Sequence, residues 1–252
     1  MTDPLTRAVV LSVAGAVAGI VGTAGGITTL VSYPALVWVG LSPLPASIAN
    51  TIAMVACWPG AALTSQVELR GEAKLLRRSL LPATAGAVVG AVLLIATPAH
   101  GFGRIVAPLV LLGSVALVLQ PRLRAWQQRR SRALPPAVLT VGLFLLGLYN
   151  SYFGGGSGIL ILLLLLLTAE PMLTRANAVK NMLVGAAAVI GAVTFAAFAA
   201  VDWHAVGWLA AGLFAGSTIG PVVARRLPTR VLRYAVGLTG LALTVDLLLH
   251  PG

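Results

Sequence analysis

The stretch from Tyr149 to Asn181 constrains the fold more than any other part of the sequence, because a glycine cluster precedes an unbroken hydrocarbon run. Residues Ile159 to Leu167 are all leucine or isoleucine, which is too apolar for a soluble surface. Each glycine costs a helix about 1 kcal/mol relative to alanine, so we expect a helix to break at the glycines and a new one to begin at the leucines. The start of a helix presents unpaired N–H groups and a positive dipole end, which inside a membrane favour an anion.

The composition of the whole chain indicates a membrane protein. Of its 252 residues, 58% are hydrophobic and 9% are charged, whereas a soluble domain carries roughly 25% charged residues. The mean hydropathy is +0.97. Apolar segments recur that are long enough to cross a hydrocarbon core of about 30 Å at about 1.5 Å per helical residue. We therefore expect an all-α polytopic membrane protein that lies in the lipid bilayer.

Thirteen of the seventeen basic residues cluster in three connections. They are Arg70, Lys74, Arg77 and Arg78; Arg122, Arg124, Arg129, Arg130 and Arg132; and Arg225, Arg226, Arg230 and Arg233. Clustering in short loops is the pattern that the positive-inside rule assigns to the cytoplasmic face. Membrane topology therefore explains the formal charge of +11, and nucleic-acid binding is not expected.

The apolar segments form two sets of about five, which match at an offset of about 130 residues. They lie near 5–22, 27–40, 46–67, 79–97 and 104–120, and near 135–152, 158–169, 178–199, 206–223 and 233–249. In this alignment Gly26 meets Gly158, and Asn50 meets Asn181. We predict two transmembrane repeats, 1–120 and 134–252, joined by a basic linker at 121–133.

Equivalent loops carry opposite charge biases, which predicts that the two repeats are inverted. The loop at 68–78 holds four bases, whereas its counterpart near 200–205 holds none. The loop at 98–104 holds one base, whereas its counterpart at 224–233 holds four. Inverted-topology repeats are typical of secondary transporters.

The inversion requires an odd number of crossings per repeat, with both termini outside and the linker in the cytoplasm. Either three or five membrane crossings per repeat satisfy this requirement. The segments 27–40 and 158–169 are short, so each glycine-broken first helix pair is either two spans or a re-entrant hairpin.

Three motifs recur in the same order in both halves. They are a glycine-rich opening (GIVGTAGGITTLVSYPALVWVGLSP, then NSYFGGGSGILILLLLLL), a small polar start of the next segment (ASIANT, then RANAVKN), and a fourth segment of GxxxG type. As an ordered, duplicated set they resemble the sulfite exporter TauE/SafE family of anion permeases over nearly the whole chain. The resemblance implies a multipass inner-membrane protein that transports sulfite, an organosulfonate such as sulfoacetate, or a related small anion. The first half departs from the second in having Ala49 where the second has Lys180.

We expect the substrate site at the two glycine breaks and at the segments that follow them. Its candidate residues are Gly25, Gly26, Thr28, Asn50, Thr51, Gly155, Gly156, Ser157, Gly158, Asn177, Lys180 and Asn181. The asparagines and threonines offer hydrogen bonds to an oxyanion. A lysine buried in a membrane costs several kcal/mol without an anionic partner, and the substrate is such a partner. The alternatives are interhelical hydrogen bonding for the asparagines and an interfacial anchor for Lys180.

Two other functions are alternatives to a transporter. The sequence Gly155-Gly156-Ser157-Gly158 also fits the G-x-S-G of rhomboid-type intramembrane serine proteases, whose chemistry needs a histidine beside the serine. The three histidines fall in loops or at the terminus: His100, His204 and His250. A membrane accessory protein without a substrate is the other alternative, which the inverted repeat disfavours. The sequence contains no HExxH, Cys/His cluster or Walker motif. We therefore expect neither an enzyme nor a cofactor or metal, and a homo-oligomer remains open.

Carboxylates are scarce in the apolar segments. Five of the six acidic residues, namely Asp3, Glu68, Glu72, Glu170 and Asp202, lie in loops or at the terminus, which leaves Asp246. Coupled transporters commonly relay protons through acidic residues or histidine inside the membrane. We therefore expect no internal proton relay, and uncoupled export is the simplest mechanism.

Overall fold

The computed structural model describes residues 3–128 and 135–224, and within these ranges the chain is helical and has no strand. The helices are α1 Pro4–Gly25, α2 Thr28–Trp38, α3 Pro43–Met54, α4 Cys57–Thr64, α5 Ala73–Ala96, α6 Ala99–Gln128, α7 Pro136–Tyr152, α8 Ser157–Thr168, α9 Leu173–Phe198 and α10 Trp203–Ala224. Five helical stretches of the described chain are long and apolar enough to cross a membrane: Pro4–Thr23, Pro43–Thr64, Ala73–Ala96, Gly101–Leu119 and Leu173–Phe198. The predicted all-α polytopic fold is confirmed.

The helices follow the two sets of apolar segments. Helix α1 corresponds to α7, α2 to α8, the pair α3 and α4 to α9, and α5 to α10. The predicted partner of α6, the segment 233–249, lies outside the described residues, as do both termini and residues 129–133 of the linker.

Two helix boundaries differ from the predicted segments. The segment 46–67 is interrupted between Met54 and Cys57. The interruption lies one turn before Pro59, which has no N–H and whose ring clashes with the carbonyl four residues earlier. Helix α6 also continues to Gln128, well into the predicted linker 121–133, because the arginines there are good helix formers.

The most extensive helix packing joins the two halves of the chain. Helix α1 packs along α10, and α5 packs along α7. These are equivalent pairs, since α1 corresponds to α7 and α10 to α5. A Cβ atom on Gly216 would overlap the Ala16 carbonyl, and one on Gly90 would overlap the Leu148 carbonyl. The backbones meet where glycine removes the side chain, as small-xxx-small patterns predict.

Two ion pairs mark opposite ends of the bundle. Arg7 Nη2 lies 2.5 Å from Asp202 Oδ2, where α1 and α10 begin. Arg175 Nη1 lies 3.3 Å from Glu72 Oε1, where α9 and α5 begin. Helix α9 starts beside the second pair and runs for 26 residues, about 39 Å, towards the first. The matching helices α5 and α10 therefore start near opposite ends of α9, and the inverted orientation of the two repeats stays a prediction.

Candidate functional site

The first helix break is built around Gly26. Helix α1 ends at Gly25, and Gly26 adopts the left-handed conformation with φ 75° and ψ 31°. Its N–H donates to the Gly22 carbonyl at 2.7 Å, which closes the end of α1. Helix α2 then begins at Thr28, and no side chain caps its first N–H groups.

The second break lies at the equivalent place between α7 and α8. Gly154 and Gly156 both have positive φ, 80° and 75°, which a residue with a side chain rarely adopts. Helix α8 begins at Ser157, also without a side-chain cap. The helix thus breaks at the glycines and restarts at the leucines, as the sequence predicts. Ser157 Oγ donates to Asn150 Oδ1 at 2.6 Å, and is not joined there to a histidine.

The two breaks touch each other through a pair of glycines. A Cβ atom on Gly26 would lie 2.8 Å from Gly158 Cα, and one on Gly158 would lie 2.6 Å from Gly26 Cα. Side chains essentially never approach a backbone so closely, so both positions require glycine. Because Gly26 precedes α2 and Gly158 opens α8, the N-terminal ends of both short helices lie together. Each brings a positive dipole end to the same place. At α8 the Ser157 and Ile159 N–H groups donate to the Gly154 and Gly156 carbonyls.

Lys180 extends from α9 to this junction. It is 1% exposed, and its Nζ lies 3.4 Å from the Gly22 carbonyl. A side chain so deeply buried does not act as an interfacial anchor. The ammonium lies at the C-terminal end of α1, where the helix dipole favours a cation.

The asparagines on the same helix contact the same end of α1. Asn177 Nδ2 donates to the Thr23 carbonyl at 3.0 Å, and Asn181 Nδ2 lies 3.4 Å from that oxygen. They satisfy a carbonyl that the end of a helix leaves without an intrahelical donor. The amide groups therefore join α9 to α1, which is the interhelical alternative for these residues.

A cavity of about 40 Å³ lies between the breaks and α9. A cavity of this volume holds about three waters. Six predicted site residues line it, namely Gly26, Thr28, Ser157, Gly158, Lys180 and Asn181. The lining also contains residues outside the predicted set: Gly22, Thr23, Thr29, Met54, Cys57, Trp58, Ala61, Gly154, Val184 and Gly185.

Other predicted site residues lie close to the cavity but not in its lining. Asn50 accepts a hydrogen bond from Ser32 Oγ and donates to Thr29 Oγ1 at 3.3 Å, so it joins α3 to α2. Thr51 Oγ1 donates to the Ser47 carbonyl at 3.0 Å within its own helix. Asn177, Gly155 and Gly156 also fall outside the lining, and Gly25 is the last residue of α1.

The cavity is suited to an anion. Among the described residues that line it, Lys180 carries the only formal charge, and the hydroxyl group of Thr28 adds a hydrogen-bond donor. The described acidic residues lie at the ends of helices or between them. A cation, two helix N-termini and no lining carboxylate make this a place where negative charge is stabilised.

A polytopic helical bundle with two interrupted helices in contact has the architecture of a membrane transporter. The sequence profile described as sulfite exporter TauE/SafE matches residues 8–247. The chain therefore belongs to the sulfite exporter TauE/SafE family, as its motifs predict.

A curated relative agrees with this class. The Probable membrane transporter protein ORF9 of a Sinorhizobium species is 26% identical over 244 residues, which cover 96% of this chain and 92% of the relative. No solved structure matches the chain. The protein is thus a multi-pass membrane transporter.

Proposed function

We propose that this transporter is a permease that exports a small anion, such as sulfite or an organosulfonate, across the inner membrane of the cell. The binding site is the cavity between the two helix breaks. The single observation that carries the proposal is the burial of Lys180 beside the N-terminal ends of α2 and α8. An anion bound there adds a negative charge beside a buried positive one, next to the contact that Lys180 makes with the Gly22 carbonyl.

Different groups of the cavity make different contributions to anion binding. The Lys180 ammonium supplies charge, α2 and α8 supply the positive ends of their helix dipoles, and the hydroxyl groups of Thr28 and Ser157 lie beside them. A volume that holds about three waters suits an anion of a few heavy atoms. The two repeats, 1–120 and 134–252, then move against each other about this site, as inverted repeats do in other transporters.

Membrane voltage drives the export in this proposal. The described acidic residues lie at helix ends rather than in the cavity, which leaves no carboxylate for a proton relay there. An anion that leaves an inside-negative cell gains about 2.3 kcal/mol per charge for each 100 mV. No coupling ion is then needed for net efflux.

The proposal is tested by anion efflux from proteoliposomes that contain the purified protein. We expect labelled sulfite or sulfoacetate to leave when an inside-negative potential is imposed with no sodium or pH gradient. Liposomes without protein provide the background. Efflux that appears only with a sodium or pH gradient contradicts voltage-driven export. Absence of protein-dependent flux of any small anion under all three gradients contradicts the anion permease.

A further inference from the structure

The cavity is polar at one end and apolar at the other. Lys180 and Asn181 line it from one turn of α9, and Val184 and Gly185 line it from the next turn. Residues four apart lie on the same face of a helix, here separated by about 6 Å along the axis. The backbone positions that carry the charged group and the apolar wall are therefore about one helical turn apart.

The apolar end is closed by a tryptophan that packs on a glycine. A Cβ atom on Gly185 would overlap Trp58 Cδ1, and it would lie 2.8 Å from Trp58 Nε1. The indole thus lies directly on the α9 backbone, in space that any side chain at Gly185 would fill. Met54 and Ala61 continue the same wall, and Trp58 itself is 37% exposed, so it covers the cavity only in part.

The position of Trp58 follows from the interruption between α3 and α4. Helix α4 begins at Cys57, and Pro59 follows the tryptophan directly. Helix α9, which corresponds to α3 and α4, is continuous and places Lys180 where the first half has Ala49. The first half therefore contributes Trp58, Met54 and Ala61 to the apolar wall of the cavity, and the second half contributes the cation.

We propose that Trp58, seated on Gly185, is a specificity-determining residue that selects a monoanion with a short, uncharged, apolar substituent. The anionic head binds at Lys180 and the helix N-termini, and the substituent packs against the indole about one turn away. One lining cation balances one negative charge, and a second charge on the substituent meets an apolar wall without a partner. This inference rests on the proposed function, because it concerns the same cavity.

The test is calorimetric titration of the purified protein with methanesulfonate, ethanesulfonate, sulfite and sulfoacetate. We expect ethanesulfonate to bind about fourfold more tightly than methanesulfonate, the gain from burying one further methylene group. Sulfoacetate, whose carboxylate has no partner at the indole, binds at least about tenfold more weakly than ethanesulfonate.

Three variants connect this preference to the indole. In Trp58→Ala the ratio of ethanesulfonate to methanesulfonate affinity falls to about one, while the sulfite affinity changes less than about twofold, because the head site is intact. Gly185→Ala keeps the tryptophan but displaces it into the cavity, so ethanesulfonate loses more affinity than methanesulfonate. Trp208→Ala, in the second turn of α10 and outside the cavity lining, is the matched control and leaves every affinity as in the wild type.

The outcomes separate the two proposals. If the wild type binds these anions and both cavity variants keep the wild-type ratios, the role of Trp58 is overturned and the anion permease stands. If the wild type binds none of the four anions, the proposed function itself fails. Should Trp58→Ala not fold, as judged by size-exclusion chromatography, the Gly185→Ala ratio decides in the same way.

Discussion

Gly26 and Gly158, which lie far apart in the sequence, contact each other backbone to backbone where the two helix breaks meet. A Cβ atom on either residue would lie within 2.6–2.9 Å of backbone atoms of the other. This contact fixes the N-terminal ends of α2 and α8 beside each other, and both line the cavity that contains Lys180. The site thus depends on a contact that only two glycines permit.

Alanine at either glycine is expected to destabilise the protein. Gly158→Ala overpacks the junction and costs about 1–3 kcal/mol. Gly26→Ala adds the strain of a side chain at positive φ, roughly 1–2 kcal/mol more. Thermal unfolding in detergent, followed by the reaction of Cys57 with a thiol-reactive dye, measures the loss.

Two other glycines separate these effects. Gly40 has a φ of 99° and nothing near its missing side chain, so Gly40→Ala reports strain alone. Gly207 lies in α10 and has neither a close neighbour nor positive φ, so Gly207→Ala is expected to be neutral or slightly stabilising. Equal losses in Gly26→Ala and Gly40→Ala would show that the contact with Gly158 contributes nothing.

The Glu72 carboxyl is expected to destabilise the fold as the pH rises. Burial raises its pKa, the nearby Glu170 carboxyl raises it further, and Arg175 opposes both. The folded protein therefore holds this proton at a higher pH than the unfolded chain does, so stability falls as the pH rises from the unfolded pKa through the folded one.

Glu72→Gln removes this ionisation, and its stability is expected to change less than that of the wild type between about pH 4 and pH 7. Arg175→Gln removes the opposing charge, so its loss of stability with rising pH is larger than in the wild type. Thermal unfolding across that range measures both slopes. Identical slopes in all three proteins would mean that Glu72 does not titrate differently on folding.

The contribution of Asp202 to stability is expected to change with pH in the opposite sense to that of Glu72. Burial alone would raise its pKa, but the Ala205 N–H and Arg7 lower it, with a smaller contribution from His204, and the net pKa is below its ordinary value of 3.8. The stabilisation is therefore fully present above that value and is lost as the pH falls through the lower folded pKa.

The pair is about one-third exposed, which limits its contribution to about 1 kcal/mol or less. Asp202→Asn should lower the stability by that amount at pH 7 and not at pH 2, and added salt should reduce the difference. Asp3→Asn, at an exposed carboxyl, is the matched control. A destabilisation by Asp202→Asn that persists unchanged at pH 2 would contradict the ionic origin.

The sequence predicts the fold and part of the site because some residue types have few alternatives. Glycines beside a leucine run force a helix break, and the alignment of the two halves pairs Gly26 with Gly158, which the structure places in contact. Lys180 is conspicuous as a cation inside an apolar segment. These features follow from local chemistry and from the repeat.

The other features of the site depend on which helix faces pack together, and no local sequence pattern specifies that packing. The sequence places Trp58 beside Pro59 in an apolar segment, but only the packed bundle shows the indole resting on Gly185 at the cavity. The same holds for Asn50, whose partners are Ser32 and Thr29 rather than the cavity. A short hydrogen-bonding side chain gives no signal of which neighbour it will meet.

The most direct test of the account is transport by Lys180→Met, compared with Lys74→Met. Both substitutions remove a lysine charge, but Lys74 is exposed and lies outside the cavity. The flux through each variant is measured as efflux of labelled sulfite and sulfoacetate from proteoliposomes under an inside-negative potential. Removing one partner of a buried ionic contact costs about 3–5 kcal/mol, so Lys180→Met is expected to lower the flux at least about 100-fold while its size-exclusion profile stays as in the wild type. Lys74→Met keeps wild-type flux in this account, and equal flux in the two variants would contradict an anion site at Lys180.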